Sequence, residues 1–282
     1  MSPPADGFPD LAHPERILAD PRATGEGVRV CVIDSGVDRA RLASRCEARG
    51  HPLLPVECAL FREGDTAAQP DPGRPSNPHG TTVADILLTV APRVRLFSAD
   101  VFGPQGSCDV RVLIRAMRHA MDAWGCNIIN LSLGVVEQRL QPVQTRLELL
   151  RTVEEAYYRD VLVVAAAHND HPVTRSYPAV FAAPLLSVGK GEFADPTDFA
   201  YDLRDQIEFR AHSRAYYGPL ASTPATSWAA PHLAGIAARI LSLHPGLKPF
   251  EMKAILYWIH RSRQSPRPSN SVGLGGGNEG AS

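Results

Sequence analysis

The sequence predicts an α/β fold in which a mainly parallel sheet is covered by helices on both faces. Three observations predict it. Residues 28–33, 94–101, 127–131, 161–166 and 182–188 are short, mostly apolar runs without alternation, as expected of strands buried on both sides. Stretches with helical periodicity separate them. The chain has 282 residues, 44% apolar and 21% charged, enough for one large domain with a well-buried core.

Residues 1–26 are rich in Pro, Ala, Asp and Gly, with a short amphipathic piece at 14–18, and are expected to form an arm packed loosely on the surface. The first strand, 28–33, runs from Gly27 into an Asp34-Ser35-Gly36 turn. Residues 62–78 hold four prolines among Gly, Asp, Asn and Ser, which makes a long loop. A short apolar helix at 83–90 and a strand at 94–101 follow. The clearest helix comes next: Val110, Leu113, Ile114, Met117, Met121 and Trp124 share one face, and Arg111, Arg115, Arg118 and Asp122 fall away from it. Strands at 127–131, 161–166 and 182–188 enclose a helix at 143–159, and two helices at 226–243 and 248–260 close the domain. The Pro, Ser, Gly and Asn of the last residues cannot bury a core and predict a disordered tail. The expected division is an arm at 1–26, one domain at 27–263 and a tail at 264–282.

The formal charge is −1, from 29 basic and 30 acidic residues, which argues against nucleic acid or an anionic membrane as a partner. No apolar run approaches the about 20 residues that span a bilayer. The first residues show no basic segment followed by an apolar one, so no signal peptide is read there. The five cysteines, odd in number and irregularly spaced, read as reduced thiols in a cytoplasm. Cys46, His51 and Cys58 match no compact zinc motif and lack a fourth ligand, so neither metal nor cofactor is expected.

Nucleophilic cleavage of a peptide bond needs a nucleophile, a base, a carboxylate to orient the base, and donors for the oxyanion. A parallel sheet presents such groups at the carboxyl ends of its strands. Asp34 ends the first strand, where it can accept from a histidine N–H. His79 opens a helix, whose dipole favours the neutral imidazole that a base requires. Ser227 enters a helix of small residues with its own N–H at the helix start, and Asn169 follows the 161–166 strand with an amide to donate. Taken singly, each is an ordinary turn or cap residue.

Taken together, Asp34-Ser35-Gly36, His79-Gly80-Thr81, Ser132-Leu133-Gly134, Ala165-Ala166-Ala167-His168-Asn169 and Thr226-Ser227-Trp228-Ala229-Ala230-Pro231-His232 resemble the subtilase family, in the same order. Asp34 and His79 are 45 residues apart, and His79 and Ser227 are 148 apart. The resemblance covers about residues 27–260. It implies a subtilisin-like three-layer fold with a mainly parallel seven-stranded sheet. It also implies a serine endopeptidase with Asp34, His79 and Ser227 as the triad and Asn169 in the oxyanion hole. Ser132, Leu133 and Gly134 on one side, and Gly106, Ser107 and Cys108 on the other, would pair with a peptide or protein substrate as neighbouring strands. Ala166, Ala167 and His168 would line the primary specificity pocket.

The chain departs from the family pattern in three places. His168 and Ala225 stand where Gly is usual, and Trp228 where Met is usual. His168 is expected to narrow the specificity pocket or give it a polar, pH-sensitive edge. Trp228 has to find room behind the triad. Only 33 residues precede Asp34, fewer than a folded propeptide needs, and only 11 lie between His79 and Ala91, leaving no insert for a strong calcium site. An enzyme without a propeptide would need narrow specificity, or an activating or inhibiting protein partner. A peptide-binding pseudoprotease and a peptide ligase or macrocyclase are the alternatives open to the same residues.

Overall fold

The computed structural model describes residues 15–71, 73–102 and 106–264. In chain order the elements are α1 (Glu15–Ala19), β1 (Arg29–Asp34), α2 (Arg39–Ala48), β2 (Glu57–Leu60), β3 (Gln69–Pro70), α3 (His79–Val90), β4 (Arg95–Asp100), α4 (Val110–Asp122) and β5 (Ile128–Leu131). They continue with β6 (Val135–Val136), α5 (Val143–Tyr158), β7 (Leu162–Ala166), β8 (Ser176–Tyr177), β9 (Leu186–Gly191), β10 (Phe199–Arg204), β11 (Ile207–His212), α6 (Thr226–Leu243) and α7 (Pro249–Gln264).

The main sheet has nine strands in the order β10-β11-β9-β7-β5-β1-β4-β2-β3. The seven from β11 to β2 are parallel, and the antiparallel edge pieces β10 and β3 make up the difference from the expected seven. Alternate strand residues feed two cores. Val30, Val32, Leu96, Ile128 and Val164 join α3, α6 and α7 on one face. Cys31, Ile33, Phe97, Ile129 and Val163 join α4 and α5 on the other. That is why the strands read as unbroken apolar runs.

Some expectations change. The strand expected at 182–188 begins at Leu186, because Pro184 has no N–H for a ladder and Ala182 turns the chain. The described part of the arm does not lie loosely on the surface: Ile17 and Leu18 are 7% and 6% exposed and belong to the core with α6 and α7. Helix α2 was missed because it buries only Leu42 and Cys46, a stripe too narrow to stand out among its arginines. The β10–β11 hairpin turns at Asp205 and Gln206, both at positive φ (47° and 74°) without the glycine that usually signals such a turn. The expected tail lies outside the described residues, apart from Gln264 in α7.

Candidate active site

Chain connections leave β1 toward β4 and β2 on one side and toward β5, β7 and β9 on the other. A crevice at such a reversal, beyond the carboxyl ends of the strands, is where open α/β sheets bind ligands. Asp34 closes β1 there and is 1% exposed. Its Oδ1 accepts from the Ser35 N–H at 2.8 Å.

The first residue of α3 brings His79 to it. Nδ1 of His79 lies 2.9 and 3.0 Å from the two Asp34 oxygens. A carboxylate only accepts, so Nδ1 carries the proton and Nε2 is left as a lone-pair acceptor. The helix start is held by its neighbours: the His79 N–H donates to Asn77 Oδ1 at 2.8 Å and the Gly80 N–H to Ser35 Oγ at 2.9 Å. A Cβ on Gly80 would collide with the Gly36 carbonyl oxygen, so only glycine lets α3 sit this close to the end of β1. Burial works to lower the His79 pKa, but the charge and hydrogen bond of Asp34 outweigh it and raise it above the ordinary histidine value. The helix-dipole expectation of a depressed imidazole is therefore corrected by the carboxylate beside it.

Ser227 is the second residue of α6. The preceding Ala225 is extended (φ −141°, ψ 148°) and makes no side-chain cap; the Thr226 N–H goes to Asn169 and the Trp228 N–H to the Ala225 carbonyl, which leaves the Ser227 N–H of the first turn for an incoming anion. Pro231 lies inside α6 and has no N–H to give the carbonyl four residues back, which is that of Ser227. That carbonyl instead accepts from Ser132 Oγ at 2.8 Å, and Ser132 accepts from Asn130 Nδ2 at 3.0 Å. The end of β5 is thus tied to the start of α6. Asn169, exposed after β7, has its Oδ1 taken by the Thr226 N–H at 3.0 Å and the Thr226 hydroxyl at 3.2 Å. With Oδ1 thus spent, the amide N–H₂ is the part of the side chain that remains to donate.

Leu133, Gly134, Gly106, Ser107 and Cys108 line one cleft of about 440 Å³. A Cβ on Gly134 would collide with Ser176 Oγ, which sets the close approach of β6 and β8. Ser107 and Cys108 also border a second hollow of about 710 Å³ that reaches Arg62, Glu63 and Arg139. Burial pushes the Cys108 thiol up to about 12, so it is a poor nucleophile. Ala166 and Ala167 are each 5% exposed, and the Ala167 N–H is spent on the Val188 carbonyl at 2.9 Å. His168 accepts the Asp170 N–H on Nδ1 at 3.2 Å, with 34% of its side chain exposed.

Sequence reasoning passed over Ser35, Asn77 and Asn130, which tie these elements together. Asn77-Pro78 before the helix was the available signal for a cap. Among the described residues, no group of three or more His, Cys, Asp or Glu is arranged to hold a metal ion, and no helix is long and apolar enough to cross a membrane.

Comparison with known proteins agrees with this architecture. Subtilisin Savinase of Lederbergia lenta is 32% identical over 238 residues, covering 79% of each chain. M-protease of Shouchella clausii is 31% identical over 238 residues, 79% of this chain but 56% of that protein, so this chain spans little more than half its length. The solved structure of Sphericase superposes with a TM-score of 0.63 at 25% identity, covering 83% of each chain. The Subtilase family model matches residues 25–200 and 202–275, and the chain belongs to that family.

Proposed function

We propose that the chain is a serine endopeptidase that cleaves peptide bonds through an acyl-enzyme on Ser227. His79 takes the hydroxyl proton of Ser227 on Nε2 as the oxygen attacks the carbonyl carbon, and later gives it to the leaving amine. Asp34 holds the tautomer and stabilises the imidazolium. The Ser227 N–H and the Asn169 amide donate to the oxyanion. The pairing of Asp34 with His79 at the sheet's switch point carries this reading. The anchoring of Asn169 to Thr226, one residue from Ser227, supports the rest.

The reading extends to substrate and setting. A peptide or protein substrate lies as a strand between Gly106–Cys108 and Ser132–Gly134. The hollow rimmed by Arg62, Glu63 and Arg139 favours few sequences over many, which suits processing of a specific target. All five cysteines are free, in keeping with a cytoplasmic location.

The test is labelling of the purified protein with a fluorophosphonate, which esterifies an activated serine. Wild type is expected to label, and Ser227→Ala and His79→Ala to lose labelling. A folded wild type that does not label would overturn the reading in favour of peptide binding without cleavage.

A further inference from the structure

The face of His79 is covered by a side chain that the mechanism above leaves without a task. The indole of Trp228 lies against the imidazole, with ring centroids 4.8 Å apart and planes tilted by 31°. This is well inside the about 6 Å over which an aromatic face attracts a cation, and tryptophan is the strongest of the aromatic faces. Trp228 is 4% exposed, so water screens the contact little.

The indole is also held in place. Its Nε1–H donates to the Thr223 carbonyl at 3.2 Å. The main-chain carbonyl of Trp228 accepts from His232 Nδ1 at 2.7 Å. With that proton on Nδ1, His232 Nε2 accepts from the Tyr216 hydroxyl at 2.7 Å. Burial pushes His232 down to about 3, so it stays neutral and this arrangement holds across the pH range in which His79 titrates. The imidazole of His79 is thus gripped on one edge by Asp34 and on one face by a fixed indole, with Nε2 left for proton transfer.

We infer that Trp228 is a positioning residue for His79, whose indole face fixes the plane of the imidazole and stabilises the imidazolium formed when His79 accepts a proton. This rests on reading His79 as the general base. The indole acts beside Asp34, the carboxylate on β1 that bears on His79. On α6 the neighbours of the indole are neutral, Ser227 and the uncharged His232. The nearby acids are otherwise engaged: Asp85 on α3 by Arg45 and Arg49, and Asp100 on β4 by Arg62 and Ser76.

The experiment compares wild type, Trp228→Leu and Trp228→Phe. The His79 pKa is read by NMR of histidine-labelled protein, with His79→Ala to assign the signal, and fluorophosphonate labelling rates are followed against pH. Leucine keeps the apolar cover without a π face, so the His79 pKa is expected to fall by roughly half to one unit. The acid limb of labelling should move to lower pH with it, and the plateau rate should drop. Phenylalanine keeps a ring on the imidazole and should recover at least half of both effects. An unchanged or higher His79 pKa in Trp228→Leu would overturn the inference. So would a Trp228→Phe variant no closer to wild type than leucine is. Should Trp228→Leu not fold, Trp228→Met replaces it, since a flexible thioether adapts to an irregular gap. The NMR titration does not need activity. A shift in a protein that never labels would therefore sink the protease reading while supporting the stabilised imidazolium.

Discussion

His79 feels two opposed influences, and which wins sets the pH range of the chemistry. Burial disfavours the imidazolium, and Asp34 at 2.9 Å favours it more strongly, so the pKa is raised. As the proposed base, His79 would work when neutral. A raised pKa therefore places the acid limb of kcat/KM above the about 6.5 of an unperturbed histidine, and activity is lost as pH falls through it. Asp34→Asn removes the charge and offers the wrong partner to Nδ1. The expected result is a fall in labelling rate of about 10⁴-fold and an acid limb displaced to lower pH, measured as labelling rate against pH. Asn169 is a simpler case, because its Oδ1 is committed to Thr226 and its N–H₂ is what remains to donate. Asn169→Ala should lower kcat by about 10² to 10³, the loss known for such a donor in a subtilisin, with KM nearly unchanged.

Helix α6 shows how an irregularity in one element becomes a joint between several. Pro231 frees the Ser227 carbonyl, Ser132 takes it, and β5 is thereby linked to the residue proposed as nucleophile. Farther along, Gly235 packs on α3, where an added Cβ would lie 2.7 Å from the Cβ of Val90. Neither helix can retreat, because both are buried against the sheet. Gly235→Val should therefore destabilise the fold by about 1–3 kcal/mol, read as a lower urea midpoint at unchanged slope. An unchanged midpoint would mean that the α3–α6 contact is looser than the packing implies. Legibility differed among elements for a related reason. Helix α4 was legible because Val110, Leu113, Ile114 and Met117 form a broad buried stripe. Helix α2 and the β10–β11 hairpin were not, because their burial or turn chemistry is weak in the sequence.

Seven parallel strands in one sheet, with the order reversing around β1, bring residues from distant parts of the chain to one crevice. The cleft at Leu133 and Cys108 shares Ser107, Cys108, Val135 and Arg139 with the hollow that reaches Arg62 and Glu63. On the proposed reading, a substrate strand laid along it would meet selective contacts well beyond the scissile bond. Purified protein is accordingly expected to cut casein at few positions, giving a small number of discrete fragments on a gel. A rapid digest to small peptides without any addition would refute narrow specificity while leaving the proposed chemistry intact.

The sequence by itself determined the family and the alternation of strands and helices, because these depend on local pattern and on motifs in fixed order, and the same motifs supplied the residues proposed for the chemistry. It also marked Trp228 as a departure. Where that indole would go was decided only by the tertiary structure, along with the capture of the Ser227 carbonyl by Ser132, the net direction of the His79 pKa and the docking of Ile17 and Leu18. Each of these is a contact between segments far apart in the chain. Its energy depends on distances and burial that no local window of sequence contains.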